Sequence, residues 1–504
     1  MLTSRRVISL VVLVQLSFCL LVKAQDLPRS KPEEQGVDSK GILDFVNATR
    51  GSKTEFHSFM LVRHGKVVAE GWWNPYAPKL RHTLYSCSKS FTATAIGFAV
   101  SEKKLALTDK VISFFPDKLP ANVSPNLAAL TVKDALIMAD GQDPEPSRLS
   151  AETDWVKGFL ATPIVHKPGS VFLYNSLGTY MLSAIIQKVT GQTLLQYLKP
   201  RLFDPLDIKG MDWETDLKGI NTGGWGLRLK TEDMAKFAQL FLQHGQWKGK
   251  QVLPQGWAEE ASSVKIIQHP DLPQAKKDAS DWEQGYCYQM WRCRNNAYRG
   301  DGAFGQLMIV MPDQDAVLAI TAETSDMQGE LNLVWQYLLP AMHNDKLLPN
   351  KTAYAQLQNA LQELALPPAP KTAINENTNG TFQLEPNKYN FTTATFNNNQ
   401  LIIKNDTTSY RLDFGAGAWQ TSTTQKPGPS LTAGAQEIRG MLFPAKVAGS
   451  YTWTDEHTLQ LILRYIESPH TEKFTCDFDN QGLTIHVSNT VERGRETVLK
   501  GKRL

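Results

Sequence analysis

Ser86-Cys87-Ser88-Lys89 stands at the head of an apolar, small-residue run, Phe91-Thr92-Ala93-Thr94-Ala95-Ile96-Gly97-Phe98-Ala99-Val100. The run predicts a helix. With Ser86 in its first turn, Lys89 lies one turn later on the same face. That spacing brings an amine within reach of a hydroxyl. A serine hydroxyl is a weak nucleophile until a neighbouring base takes its proton. A lysine desolvated among apolar side chains has a lowered pKa and can be that base. Amides at the helix N-terminus add positive potential where an oxyanion would form. The pattern points to acyl transfer through a covalent intermediate. Taken alone it also fits a capping serine followed by a solvated lysine, so the rest of the chain decides.

The 504 residues correspond to two or three domains, and a 20% charged, 42% hydrophobic composition is that of a soluble globular protein. The formal net charge is +3, too small to imply a nucleic-acid partner. Its basic clusters (Lys276-Lys277, Arg292 with Arg294, and Lys500-Gly501-Lys502-Arg503) fit a solvated mixed surface. At the N-terminus, Arg5-Arg6 precede an apolar run from Val7 to Val22, and Val22-Lys23-Ala24 predicts cleavage after Ala24. Residues 1–24 are therefore expected to be a signal peptide. The mature protein is expected to be periplasmic or secreted, with no stable membrane insertion. Cleavage leaves Cys87, Cys287, Cys293 and Cys476. Cys287 and Cys293 fall in one strand-like run, roughly 20 Å apart if extended, too far to bridge. Mostly free, buried thiols are expected. Histidines are dispersed, without H-E-x-x-H or C-x-x-C, so no metal site is expected.

Gly41 to Val46 reads as part of an amphipathic helix, and Phe59 to Gly71 as two strands around a His64-Gly65-Lys66 turn. A helix-rich middle extends to about residue 265. Strand patterns return at Gly285–Trp291, Gln306–Met311 and Ala316–Thr321, and Leu331–Met342 reads as a closing helix. Strands at both ends with helices between predict a sheet whose first and last strands meet. Residues 25–350 are assigned to this catalytic unit, 351–372 to a helix and the Pro367-Pro368-Ala369-Pro370 linker, and 373–504 to an all-β domain, a sandwich or lipocalin-like barrel.

Two further pieces carry chemistry. Tyr174-Asn175-Ser176 follows a Pro168-Gly169 turn and opens a helix-like run, so a phenol there can share a proton with Lys89. A tyrosine whose pKa is lowered by a nearby ammonium could activate the deacylating water. Arg299-Gly300-Asp301-Gly302-Ala303-Phe304-Gly305-Gln306 leads into a strand, where glycines permit close backbone approach and one N–H can pair with that of Ser86 as an oxyanion hole.

In this order, S-x-x-K, Y-x-[NS] and a Gly-containing triplet on a late strand resemble the serine β-lactamase, D,D-peptidase and esterase superfamily, most nearly its class C branch. The resemblance spans roughly residues 30 to 345 and includes Leu130–Met138 and Gly223–Met234. It implies an antiparallel sheet flanked by helices plus an all-helical lobe, with the site at their seam. It also implies Ser86 as acylated nucleophile, Lys89 as base and Tyr174 as proton carrier. Ser176, Gly300, Asp301 and Gly302 would be substrate-contact positions, and the amides of Ser86 and Ala303 the oxyanion hole. The family's Lys-Thr-Gly is here Gly300-Asp301-Gly302. That removes the cation that holds a β-lactam carboxylate, and Asp301 would repel an anion. The expected activity is hydrolysis of an ester or amide, as a small molecule or short peptide, with β-lactams disfavoured and no cofactor implied. The alternatives are acyl transfer from the same acyl-enzyme and slow acylation without turnover, as in a penicillin-binding sensor. For the C-terminal domain three readings stand open, shielding the cleft, binding a surface or polymer, and mediating assembly; its sequence does not choose.

Overall fold

The computed structural model describes residues 26–145, 154–372, 379–431, 443–479 and 482–504. The expected signal peptide lies outside the described residues. Asp38 caps helix α1 (Ser39–Arg50) by accepting the Lys40 N–H, and α1 buries Ile42, Phe45 and Val46. Strands β1 (Glu55–Arg63) and β2 (Lys66–Trp72) form a hairpin whose His64 and Gly65 both have positive φ, 49° and 71°. That geometry matches the twist of paired strands. The sheet is completed by β3 (Trp291–Arg292), β4 (Tyr298–Gly302), β5 (Gln306–Met311) and β6 (Ala316–Glu323), in the antiparallel order β2-β1-β6-β5-β4-β3. First and last strands do meet, with Phe59 opposite Ile320 and Leu61 opposite Leu318.

Strand periodicity then divides the core. Phe59, Leu61, Ile309, Leu318 and Ile320 pack with α1, α5 (Met327–Leu333) and α6 (Lys351–Gln362) on one face. Met60, Val62, Met308, Val310 and Ala319 pack on the other with α2 (Ser88–Ser101) and α4 (Thr231–Leu242). Helix α2 is buried at every position from Ser88 to Ala99. On its far side lies the helical lobe, centred on α3 (Ser176–Thr190). The four described cysteines are free and buried. One expectation fails. Gly285–Trp291 is not a single strand: Tyr286 pairs with Trp291 across a turn in which Gln289 has φ 59°. The buried Gln289 amide donates to the carbonyls of Ala135 and Leu136, tertiary bonds that fix the turn against the local strand pattern.

Beyond α6, eleven described strands make a nearly closed barrel. They are β7 (Gly380–Leu384), β8 (Thr393–Asn397), β9 (Gln400–Lys404), β10 (Ser409–Asp413), β11 (Gly415–Ala416), β12 (Gln420–Thr424), β13 (Ala445–Trp453), β14 (Thr458–Tyr465), β15 (Thr471–Phe478), β16 (Gly482–Asn489) and β17 (Glu496–Arg503). Their order is β10-β9-β8-β7-β17-β16-β15-β14-β13-β11, with β12 also on β13. Closure follows because β10 runs directly into β11, which pairs with β13 at the opposite end. Alternate residues such as Leu483, Ile485 and Val487 fill its interior.

The barrel does not hang on a loose tether. Ala369 donates its N–H to Ser450 Oγ at 2.9 Å, and Trp419 donates to the Leu366 carbonyl at 2.8 Å. Ala448 and Ile466 join the core under α1 and α6. Arg464 reaches across to Glu55, Nη2 to Oε2 at 2.9 Å, and Glu55 also faces His57. Burial alone would raise the Glu55 pKa, but His57 and Arg464 outweigh it and hold the carboxyl at about 2. Replacing Arg464 by alanine leaves a partly buried carboxylate without its cation and is expected to cost about 3 kcal/mol. A urea melt at neutral pH checks this; an unchanged midpoint would show that the Arg464–Glu55 pair contributes nothing to holding the domains together.

Candidate active site

Ser86 lies in a 3-10 turn, Tyr85–Cys87, that runs straight into α2, rather than within the α-helix proper. Lys89 Nζ is 3.3 Å from Ser86 Oγ, 3.1 Å from Ser176 Oγ and 2.7 Å from the Gly224 carbonyl oxygen. The lysine is buried. Desolvation brings its pKa down to about 7, while the charge of Glu145 opposes part of that fall. A neutral amine has two N–H groups and one lone pair. Gly224 and Ser176 can accept the two N–H groups, which leaves the lone pair to accept from the Ser86 O–H.

Tyr174 enters from the residue before the α3 cap. Asn175 accepts from the N–H groups of Leu177 and Gly178 at 2.9 and 3.1 Å and donates to Gln142 at 2.9 Å. This fixes the start of α3 and hence the tyrosine. The Tyr174 ring stacks on Trp291, centroids 5.7 Å apart, and Lys89 Nζ sits 5.0 Å from its centroid. Its hydroxyl meets the Ser86 side chain. Here the expectation of a lowered tyrosine pKa is overturned. Burial pushes the phenol well up, and the hydrogen bond it shares with the Ser86 side chain does not offset this. Burial thus favours the neutral phenol for Tyr174, and the buried Lys89 amine, 3.3 Å from Ser86 Oγ, is the candidate base.

The triplet closes the other side. Gly300 and Gly302 face the nucleophile turn. A Cβ on Gly302 would collide with the Leu84 carbonyl oxygen, and one on Gly300 would come within 2.6 Å of Met308 Cε and 3.1 Å of Ser90 Oγ. Only glycine lets β4 lie this close to Ser86. Ala303 follows at the end of β4, beside that turn. Asp301 points to the opposite face, where its Oδ2 accepts from Arg299 Nε at 2.7 Å. Arg299 is fully buried, donates Nη1 to the Asp281 carbonyl at 2.8 Å and lies over Trp282. The Asp301 charge is thus largely compensated, which weakens the expected repulsion of anions, and Arg299 is not presented to the cleft.

Ser176, expected to touch substrate, bonds Lys89 through its hydroxyl, while its N–H donates to Glu145 Oε1 at 2.5 Å. Sequence reasoning missed Gly224, Glu145 and Trp291. Gly224 had a visible signal in Gly223-Gly224-Trp225-Gly226, since a Cβ there would stand 2.6 Å from the Ser176 carbonyl oxygen. Glu145 and Trp291 had none. Among the described residues no His, Cys, Asp and Glu side chains group in a way that could hold a metal ion.

A family model described as Beta-lactamase matches residues 56–341. The 6-aminohexanoate-dimer hydrolase of Paenarthrobacter ureafaciens is 26% identical over 281 residues, 52% of this chain and 71% of that protein. Protein flp of Staphylococcus aureus strain MW2 is 26% identical over 167 residues, covering 30% of this chain and 33% of its own. Among solved structures, a Bacillus anthracis protein assigned as a 6-aminohexanoate-dimer hydrolase superposes with a TM-score of 0.51 at 21% identity, over 64% of this chain and 89% of its own. A Bacteroides dorei protein assigned as a beta-lactamase gives 0.50 at 14% identity, over 60% and 99%. At such identities the two superpositions speak to fold alone. The family match is stronger evidence, because it starts in β1 and ends beyond α5 and so takes in the whole sheet, the nucleophile turn and the Tyr174 segment: the chain belongs to the beta-lactamase family, a fold family of serine hydrolases.

Proposed function

We propose that this protein is an exported serine hydrolase that cleaves a carboxylic ester or amide through an acyl-Ser86 intermediate. The observation that carries the reading is the buried Lys89 amine, 3.3 Å from Ser86 Oγ with its pKa brought to about 7. Neutral Lys89 takes the Ser86 proton as Oγ attacks the carbonyl carbon. The amides of Ser86 and Ala303 receive the oxyanion. The proton then goes to the departing oxygen or nitrogen, directly or through the Tyr174 hydroxyl, and the leaving group departs as alcohol or amine. Water, deprotonated by the same lysine, attacks the ester; the carboxylic acid leaves and Ser86 regains its proton.

Substrate choice follows from the triplet. Gly300 offers no cation and Arg299 is committed to Asp301 and Asp281, so a neutral acyl group fits better than a β-lactam carboxylate. A 6-aminohexanoate-dimer hydrolase among the relatives supports an amide or ester substrate. Export is supported by Arg5-Arg6 and the apolar run behind them.

The test is the intact mass of the exported chain before and after a fluorophosphonate probe. A chain beginning at Gln25 with one adduct, mapped to Ser86, is expected; an adduct elsewhere would refute the nucleophile. The ratio kcat/KM for p-nitrophenyl butyrate should exceed that for nitrocefin, and the reverse would remove the argument from the triplet. Because Lys89 must be neutral to act, kcat/KM should rise as pH passes through about 7 and level off above it. Glu145 raises the lysine pKa, so Glu145→Gln should move that rise to lower pH. An unmoved profile would show that the limb belongs to another group.

A further inference from the structure

The C-terminal barrel reaches the residue next to the nucleophile. Tyr85 has φ 47°, a left-handed conformation that is an outlier for a bulky side chain. Such a conformation persists only where its surroundings over-determine it. The Tyr85 hydroxyl meets His470 Nε2, from the turn between β14 and β15. Its ring lies 5.4 Å from that of Phe304 and 5.7 Å from that of His470, centroid to centroid. On its other side His470 Nδ1 is 3.3 Å from Glu323 Oε1, at the end of β6. Both His470 and Glu323 are buried. With the Nδ1 proton toward the carboxylate, Nε2 is left to accept from the Tyr85 O–H. Burial pushes the Tyr85 phenol far up, which suits it as donor. The neighbouring residues are tied as well. Thr83 donates its N–H to the barrel's Glu467 carbonyl at 3.0 Å, and Leu84 donates to the Leu227 carbonyl at 3.0 Å.

We propose that His470, oriented by Glu323, is a positioning residue for the nucleophile: it clamps Tyr85 in its left-handed conformation and so aims Ser86 at Lys89 and at the Ala303 amide. The barrel thereby becomes a working part of the active site. The inference rests on the hydrolase reading above. It gives the strained backbone a cause, since the turn's own sequence, Leu84-Tyr85-Ser86-Cys87, supplies no glycine or asparagine that would adopt positive φ readily. It also explains why the barrel contacts the chain at residues 83 and 85, on either side of the Leu84 contact to the catalytic domain.

The experiment compares the full chain with Tyr85→Phe, His470→Leu, His470→Gln and the Tyr85→Phe/His470→Leu double variant. Thermal melts check folding. The readouts are the second-order rate of Ser86 labelling by the fluorophosphonate and the kcat and KM for p-nitrophenyl butyrate. Misplacement of a reacting atom by a fraction of an ångström to 1 Å predicts a fall of about tenfold to a hundredfold in labelling rate and kcat, with KM little changed. Residues acting as one unit predict a double variant no slower than the slower single. Glutamine can accept from Tyr85 and donate to Glu323, so His470→Gln should recover part of the rate that His470→Leu loses. A folded Tyr85→Phe chain that labels at the wild-type rate would overturn the proposal, as would effects that multiply in the double variant. Tyr85→Phe removes a single oxygen, so it carries the test even if His470→Leu does not fold. Failure of the wild-type chain to label would instead refute the hydrolase reading, and this inference with it.

Discussion

The burial of one amine organises this site. Lys89 sits on a helix enclosed from Ser88 to Ala99, so its charged form loses hydration that the surroundings do not replace. A surface lysine would be an ammonium at neutral pH and of no use as a base. Here desolvation brings the group to about 7, and Glu145 opposes part of that fall. The same enclosure fixes its direction. The Gly224 carbonyl at 2.7 Å and Ser176 Oγ at 3.1 Å take the N–H groups, and the lone pair faces Ser86. The other buried polar groups on this helix, Ser88, Ser90, Thr92 and Thr94, are hydroxyls bonded to backbone, so none of them supplies a counter-charge to an ammonium.

Such a site requires backbone to approach backbone closely from two sides, and glycine meets that need on both. Gly302 lets β4 lie against the Leu84 carbonyl, and Gly224 lets the loop before α4 lie against Ser176. A side chain at either position would push β4 away from the nucleophile turn or the Gly224 segment away from Ser176 and Lys89. The retained final glycine of the triplet is thus explained by packing against the nucleophile turn. The altered first two positions concern what binds, since Gly300 faces α2 without a side chain and Asp301 is turned to the other face.

Much of this was legible in the sequence because it depends on local pattern. The β1–β2 hairpin follows from His64-Gly65 between apolar alternation, and the positions of β5, β6, α2 and α3 follow from runs of consistent period. The S-x-x-K spacing alone brings Lys89 to Ser86. What escaped depends on tertiary bonding. The Gly285–Trp291 segment alternates like a strand, yet the carbonyls of Ala135 and Leu136 draw Gln289 into a turn. Glu145 approaches Ser176 from thirty-one positions away and carries no motif. Tyr174 looked like a phenolate because a lysine stood near. Burial acts on both groups, and two neighbours that each resist charge do not form an ion pair.

The electrostatics behind β4 bear on what the cleft selects. Asp301 is paired with Arg299, and Glu330 beside them is fully buried, with both carboxyl oxygens lacking a hydrogen-bond partner. Burial first, and then the Asp301 charge, push the Glu330 carboxyl well up. Arg299 and Asp301 offset one another across their hydrogen bond. A group of no net charge neither holds a carboxylate, as a lysine at the triplet would, nor attracts an ammonium as an unpaired aspartate would. This strand therefore offers no cation to a substrate carboxylate. The Tyr174 ring stacks on Trp291, and Phe304 packs against Tyr85 and the barrel's His470, with ring centroids 5.4 and 4.8 Å apart. A second domain that packs on Tyr85 and Phe304 meets both segments flanking Ser86, so substitutions in the barrel can shift those segments while Ser86 and Lys89 themselves stay unchanged.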